Sequence, residues 1–79
     1  MPPRLYLQVG AFTSRDNAES LMLRLARADL KPVHIQNADR DATPLYRVRI
    51  GPLDNVDESD RVAARVAAQG LPEPVVVVE

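Results

Sequence analysis

Leu5-Tyr6-Leu7-Gln8-Val9-Gly10-Ala11-Phe12 decides the fold, because a diluted copy of it returns as Tyr46-Arg47-Val48-Arg49-Ile50-Gly51-Pro52-Leu53. Each stretch carries a glycine turn signal, and a helix signal follows each. Aligned on Gly10 and Gly51, the copies stand 51 minus 10, or 41, positions apart. Val9 then meets Ile50, Phe12 meets Leu53, Ala18 meets Ser59, Leu21 meets Val62, Leu25 meets Val66 and Leu30 meets Leu71. Similarity at a fixed offset marks a structural unit used more than once. Here the unit is strand–helix–strand, used twice.

Within the first copy, Leu5, Leu7 and Val9 point one way and Tyr6 and Gln8 the other, the period of a half-buried strand. Gly10 is expected to turn the chain. Ser14 is placed to cap a helix from about Arg15 to Ala28, with Asp16 near its positive end. Ala18, Leu21, Met22, Leu25 and Ala28 make its apolar stripe, and Arg15, Glu19, Arg24 and Arg27 its solvated side. Pro32 ends this helix. Val33-His34-Ile35-Gln36 alternates again, and the polar run from Asn37 to Pro44 reads as a hairpin loop.

The second copy repeats the scheme. Leu45 to Ile50 is a strand with Tyr46, Val48 and Ile50 on one face and Leu45, Arg47 and Arg49 on the other. Gly51-Pro52 is expected to turn the chain. Asn55 or Asp57 caps a helix to about Gln69 with Val62, Ala63, Val66 and Ala67 buried, and Gly70 stops it. Val75 to Val78 is a last strand, apolar on both faces. Order β-α-β-β-α-β in a chain this short predicts an α+β, ferredoxin-like fold: a four-stranded antiparallel sheet with two helices on one face. The first and third strands are its central neighbours.

Composition narrows the function. The 79 residues make one domain, and 46% apolar content supports a core. A net charge of −1 gives no general footprint for nucleic acid or an anionic membrane. Absence of cysteine excludes disulfides, thiolate metal sites and cysteine nucleophiles. No apolar run approaches the roughly 20 residues of a membrane span, so direct membrane insertion is not expected, and no signal-peptide pattern opens the sequence. Pro2-Pro3 resembles the tail of a linker. Residues 1–4 are therefore expected to be a linker remnant of a longer protein, and 5–79 the domain.

The face of the sheet away from the helices carries Tyr6 and Gln8 from the first strand and Leu45, Arg47 and Arg49 from the third. His34 and Gln36 join from an edge. Arginine offers a fork of donors matched to carboxylate or phosphate. Glutamine offers a donor and an acceptor, and tyrosine a flat apolar face with a polar tip. Such a face suits a polar ligand that carries some negative charge. An ordinary solvated face with cross-strand pairs stands beside that reading. Phe12 fits the core better than a groove, because its repeat partner is Leu53.

Elsewhere the chemistry is sparse. His34, the only histidine, has no partner for a metal site. Asp54, Asp57, Glu58 and Asp60 fit helix capping. Gly10 and Gly51 do not make a phosphate loop, and no nucleophile has an activating neighbour. No catalytic residue, metal or cofactor is assigned.

Gln8-Val9-Gly10-Ala11-Phe12, then Asn17-Ala18, then Tyr46-Arg47-Val48-Arg49-Ile50-Gly51-Pro52, resembles the SPOR domain, the sporulation-related repeat of bacterial cell-envelope proteins. The resemblance runs from Leu5 to Val78. It implies a non-catalytic module that binds peptidoglycan glycan strands lacking stem peptides. It further implies a parent protein, such as a lipoprotein or lytic transglycosylase, held at the division septum in the periplasm or cell envelope. On the same basis Gln8, Ala11 and Arg47 take the family's binding positions, and Leu45 stands where some members have an aromatic. The glycan-binding set is then Tyr6, Gln8, Ala11, Thr13, Ser14, Leu45, Arg47 and Arg49. The carboxylate exposed on muramic acid falls to Arg47 or Arg49, with the helix start at Thr13 and Ser14 a second anion position. Leu53 and Ser59 depart from the family pattern at packing positions.

Rival uses of the fold remain. An RRM-like domain would read RNA from the same strands, but stacks bases on several aromatics; the aromatic content here is 4%. A protein-interaction or regulatory domain, including a dimer formed through the valine strand, is the other. An acyl-phosphate hydrolase would need a phosphate cradle after the first strand, which Gly10 to Ser14 does not supply.

Overall fold

The computed structural model describes residues 3–79. Its elements run β1 (Leu5–Phe12), α1 (Arg15–Arg27), β2 (Val33–Asn37), β3 (Tyr46–Leu53), α2 (Val56–Ala68) and β4 (Val75–Val78). The strands form one antiparallel sheet in the order β2-β3-β1-β4. This is the expected ferredoxin-like arrangement, with β1 and β3 central. Of the expected linker remnant, residues 1 and 2 lie outside the described residues. Arg4 exchanges backbone hydrogen bonds in both directions with Glu79, extending the β1–β4 ladder by one pair.

The core lies between the sheet and the helices. Leu7, Val9, Val48, Ile50 and Leu53 from the strands meet Ala18 and Leu25 of α1, Val66 of α2, and Leu30. Each Leu or Ile buried here contributes on the order of 1.5–3 kcal/mol. Phe12 and Tyr46, cross-strand partners, pack against this cluster, so Phe12 is a core residue. Leu53 and Ser59 are buried too, as packing positions should be.

Two strand boundaries differ from expectation, for one reason. Gly10 and Gly51 do not end their strands; each sits at an irregularity inside a longer one. Pairing on β1 and β3 runs Leu5 with Leu53, Leu7 with Ile50, Gln8 with Arg49, Gly10 with Val48, Ala11 with Arg47 and Phe12 with Tyr46. β3 gains a residue between the first two pairs, and β1 gains one between Gln8 and Gly10. A bulge of this kind leaves two residues opposite one and reverses the alternation beyond it. Ala11 is thereby turned to the open face and Phe12 to the core. Gly10 lies under the Phe12 ring, where an added Cβ would stand 2.9 Å from Phe12 Cε2.

The internal repeat is realised in the contacts. Ser14 and Asn55, 41 positions apart, are the two N-caps, accepting from Asn17 N–H and Glu58 N–H. Arg24 Nη2 of α1 donates to the Gln69 carbonyl at the end of α2. Its counterpart Arg65 Nη2 donates to the Ala28 carbonyl at the end of α1, at 2.9 Å. Each helix thus supplies a cation to the other's negative end. No helix is long and apolar enough to cross a membrane among the described residues.

Candidate functional site

Register assembles the open face in rows. Gln36 of β2, Arg47 of β3 and Ala11 of β1 form one row; His34, Arg49, Gln8 and Val75 form the next. Tyr6 comes third, paired with Val77. Its ring lies over Gly51, where an added Cβ would approach Tyr6 Cδ1 to 2.9 Å. Gly51 has φ +141°, a conformation suited to glycine, and supplies no side chain. The tyrosine ring therefore reaches across β3 and meets His34 edge-on, with centroids 5.5 Å apart and planes at 75°. Such an edge-to-face pair fixes both rings.

The two arginines differ sharply. Arg49 lies on the expected face but not in solvent: it is 2% exposed. Its Nη1 contacts Glu79 Oε1 at 2.8 Å, and its Nε donates to Gln8 Oε1 at 3.4 Å. Its long side chain is laid along the sheet instead of standing off it, so the expectation of a wet Arg49 is corrected. Arg47 is half-buried, and among the described residues its side chain takes no ion-pair or hydrogen-bond partner. Beside it Ala11 is exposed and small, which leaves the guanidinium approachable from that side. On the other side Gln36 Oε1 is buried, with no hydrogen-bond partner among the described residues.

The remaining residues border this centre. Leu45, half-buried, precedes β3, and its carbonyl accepts from Ala38 N–H at 2.8 Å. Thr13 is exposed just past the end of β1. Ser14 Oγ accepts from Asn17 N–H at 3.3 Å, so its capping role occupies it as an acceptor. Tyr6, Gln8, Arg47, Arg49 and Ala11 are thus brought together, with Leu45, Thr13 and Ser14 at one end of the face. Glu79 escaped the sequence reading. Its role depends on the β1–β4 ladder continuing to Arg4, which no local pattern announces. The face is shallow, with no enclosed cavity among the described residues.

The chain is thus a sheet backed by helices on one side and open on the other, with polar groups gathered on its two central strands. The SPOR domain family model matches residues 2–77, and the chain belongs to that family, as a binding module and not an enzyme. It is 40% identical over 73 residues to the endolytic peptidoglycan transglycosylase RlpA of two Pseudomonas aeruginosa strains, covering 92% of this chain and 21% of those proteins. The chain therefore spans about a fifth of the length of these relatives. It matches the crystal structure of the RlpA SPOR domain from Pseudomonas aeruginosa with a TM-score of 0.86 and 40% identity, over 92% of this chain and 96% of that one. It also matches the solution structure of the peptidoglycan binding domain of the B. subtilis cell wall lytic enzyme CwlC. There the TM-score is 0.63 and the identity 34%, over 96% of this chain and 90% of that one.

Proposed function

We propose that this chain binds peptidoglycan through the open face of its sheet, selecting glycan strands without stem peptides and so holding a longer envelope protein at the division septum. One observation carries the site: among the described residues Arg47 stands without an ion-pair or hydrogen-bond partner on a central strand, between exposed Ala11 and Gln36. A muramic acid without its peptide has a free carboxylate, which a guanidinium fork binds in charge-assisted fashion. Support for Arg47 over Arg49 is the pairing of Arg49 with Glu79, which already satisfies its charge. Gln8 meets an acetamido group, and Tyr6 offers its ring to a sugar. Leu45, Thr13 and Ser14 flank the strand at the end of the face. A stem peptide would remove the carboxylate and collide with a flat surface, so discrimination is by repulsion as well as attraction.

Membership of the SPOR family and likeness to a peptidoglycan binding domain support the ligand class. By analogy with the relatives it matches, the parent is a lytic transglycosylase of the cell envelope. Calorimetric titration with glycan oligosaccharides bearing free muramic carboxylates tests the site. Arg47→Ala and Gln8→Ala should each weaken binding about tenfold, roughly the worth of one hydrogen bond, with melting temperature nearly unchanged. Normal binding by both folded variants would remove the open face from consideration.

Self-association is assigned to β4. This edge strand leaves Val76 and Val78 more than half exposed on the helix side, where the helices pack over the other three strands, and Val75 more than half exposed on the open face. Sedimentation equilibrium of the chain and a Val76→Lys variant tests it; a monomer at high concentration overturns it.

A further inference from the structure

We infer that Arg49 and Glu79 form a positioning pair that locks the Gln8 side-chain amide with its NH2 group toward the ligand, making Gln8 a hydrogen-bond donor to the glycan. The inference rests on the open-face reading and goes beyond it by fixing which end of the amide the ligand meets.

Hydrogen-bond chemistry decides the orientation. A side-chain amide has an acceptor end and a donor end, and the two are easily exchanged by a flip. Arginine has donors only. The Gln8 atom that Arg49 Nε approaches, at 3.4 Å, must therefore be the oxygen. A flipped amide would set N–H against N–H beside a buried cation. Arg49 itself is held in place: its side chain is 2% exposed, and Glu79 Oε1 takes its Nη1 at 2.8 Å. Glu79 is anchored in turn by the backbone bonds it exchanges with Arg4. The chain of constraint runs from the end of the β4 ladder, across β1, to the centre of the face.

Two consequences follow for ligand chemistry. With Oε1 turned toward Arg49, the NH2 group is the end of the amide that faces the ligand, so the partner it meets on the glycan is an acceptor, such as the carbonyl oxygen of an acetamido group. Arg49, buried and neutralised, touches no ligand and acts only through Gln8. Its conversion to a neutral residue should therefore matter to binding only while Gln8 is present.

A double-mutant cycle tests this, because it isolates coupling between positions. The clamp is removed as a pair, Arg49→Met with Glu79→Gln, since replacing both partners of a buried ion pair leaves no unpaired charge. Calorimetry with the same free-carboxylate oligosaccharides should show binding three- to tenfold weaker, roughly the loss expected when one hydrogen bond is no longer pre-set. In the Gln8→Ala background the clamp replacement should change affinity less than about twofold, below one hydrogen bond's worth. Equal losses in both backgrounds, or unchanged affinity with Gln8 present, would overturn the inference while leaving the open-face site intact. Gln8→Ala binding as tightly as the parent chain would overturn the inference, and the open-face site falls with it only if Arg47→Ala also binds normally. A measurement on the unsubstituted chain covers the case of a clamp variant that does not fold. By proton NMR, Arg49 Hε should be visible at neutral pH, protected from exchange, and the Gln8 NH2 protons should shift on adding oligosaccharide. An Arg49 Hε in fast exchange, or Gln8 amide protons indifferent to saturating oligosaccharide, would contradict the clamp.

Discussion

Gln8 and Arg49 occupy the same position in the two halves of the chain, 41 residues apart, and meet side chain to side chain on neighbouring central strands. The pair therefore marks the pseudo-twofold axis of the repeat. Around it, Leu5 with Leu53 on one side answers Phe12 with Tyr46 on the other. What the repeat keeps equal builds the fold, in caps, buried stripe and crossed helix ends. What it makes unequal, glutamine against arginine at the axis, lies on the open face.

The equal part makes a direct prediction. Ser14→Ala and Asn55→Ala should each cost about 1 kcal/mol, the usual worth of an N-cap. For a domain of this size that lowers Tm by roughly 4–8 °C. Thermal melts by circular dichroism should give similar losses for the two. A loss at only one would mean that the caps are not equivalent.

The glycines should not behave alike. An Ala side chain at Gly51 would meet the Leu5 backbone carbonyl at 2.9 Å from a φ of +141°, and neither can yield easily. At Gly10 the nearest obstacle is the edge of the Phe12 ring. Gly51→Ala should destabilise by about 2 kcal/mol or more, the range of enforced backbone strain plus a clash. Gly10→Ala should cost clearly less, because a ring can shift. Urea denaturation of the two variants orders them, and the reverse order would contradict the packing described.

Much of this was legible in the sequence. Alternation of Leu5, Leu7 and Val9 and of Tyr46, Val48 and Ile50 assigned the two central strands and their inner faces. Ser14 and the apolar stripe of Ala18, Leu21, Met22 and Leu25 assigned α1. Gly10 and Gly51 were misleading because a glycine that permits a close approach inside a strand looks, in sequence, like one that ends it. The reversal that sends Ala11 outward and Phe12 inward follows from a bulge, which depends on pairing with another strand. Arg49 shows the second limit. Parity assigns a residue to a face, but exposure on that face depends on what lies beside it, and Glu79 comes from just past an edge strand, 30 positions away.

The ion pair makes an asymmetric prediction for stability. Glu79→Ala leaves a guanidinium that is 2% exposed without its counter-charge and should cost about 2 kcal/mol. That is below the usual range for a broken buried pair, because the Glu79 side chain is 48% exposed and water can enter its place. Arg49→Met with Glu79→Gln should fall within about 1 kcal/mol of the parent, since neither charge is stranded. Urea midpoints compare the two. A double replacement as damaging as Glu79→Ala would mean the loss comes from packing and not from charge.

Arg47 should govern the salt dependence of binding. A half-buried guanidinium at the surface meeting a carboxylate is still screened by salt, over about 10 Å at 0.1 M. Affinity for free-carboxylate oligosaccharides should fall as salt rises. Arg47→Ala should flatten that dependence as well as lower the affinity. Arg47→Lys should recover part of the salt dependence without full affinity, because an ammonium lacks the planar fork. An unchanged salt slope in Arg47→Ala would take the carboxylate contact away from this residue.

Recognition of peptide-free glycan is read out by co-sedimentation with isolated cell-wall sacculi, before and after amidase removes their stem peptides. More of the chain should sediment after amidase treatment, and Arg47→Ala should lose most of the increase. Binding indifferent to amidase, or absent from both preparations, would contradict recognition of peptide-free glycan by this domain.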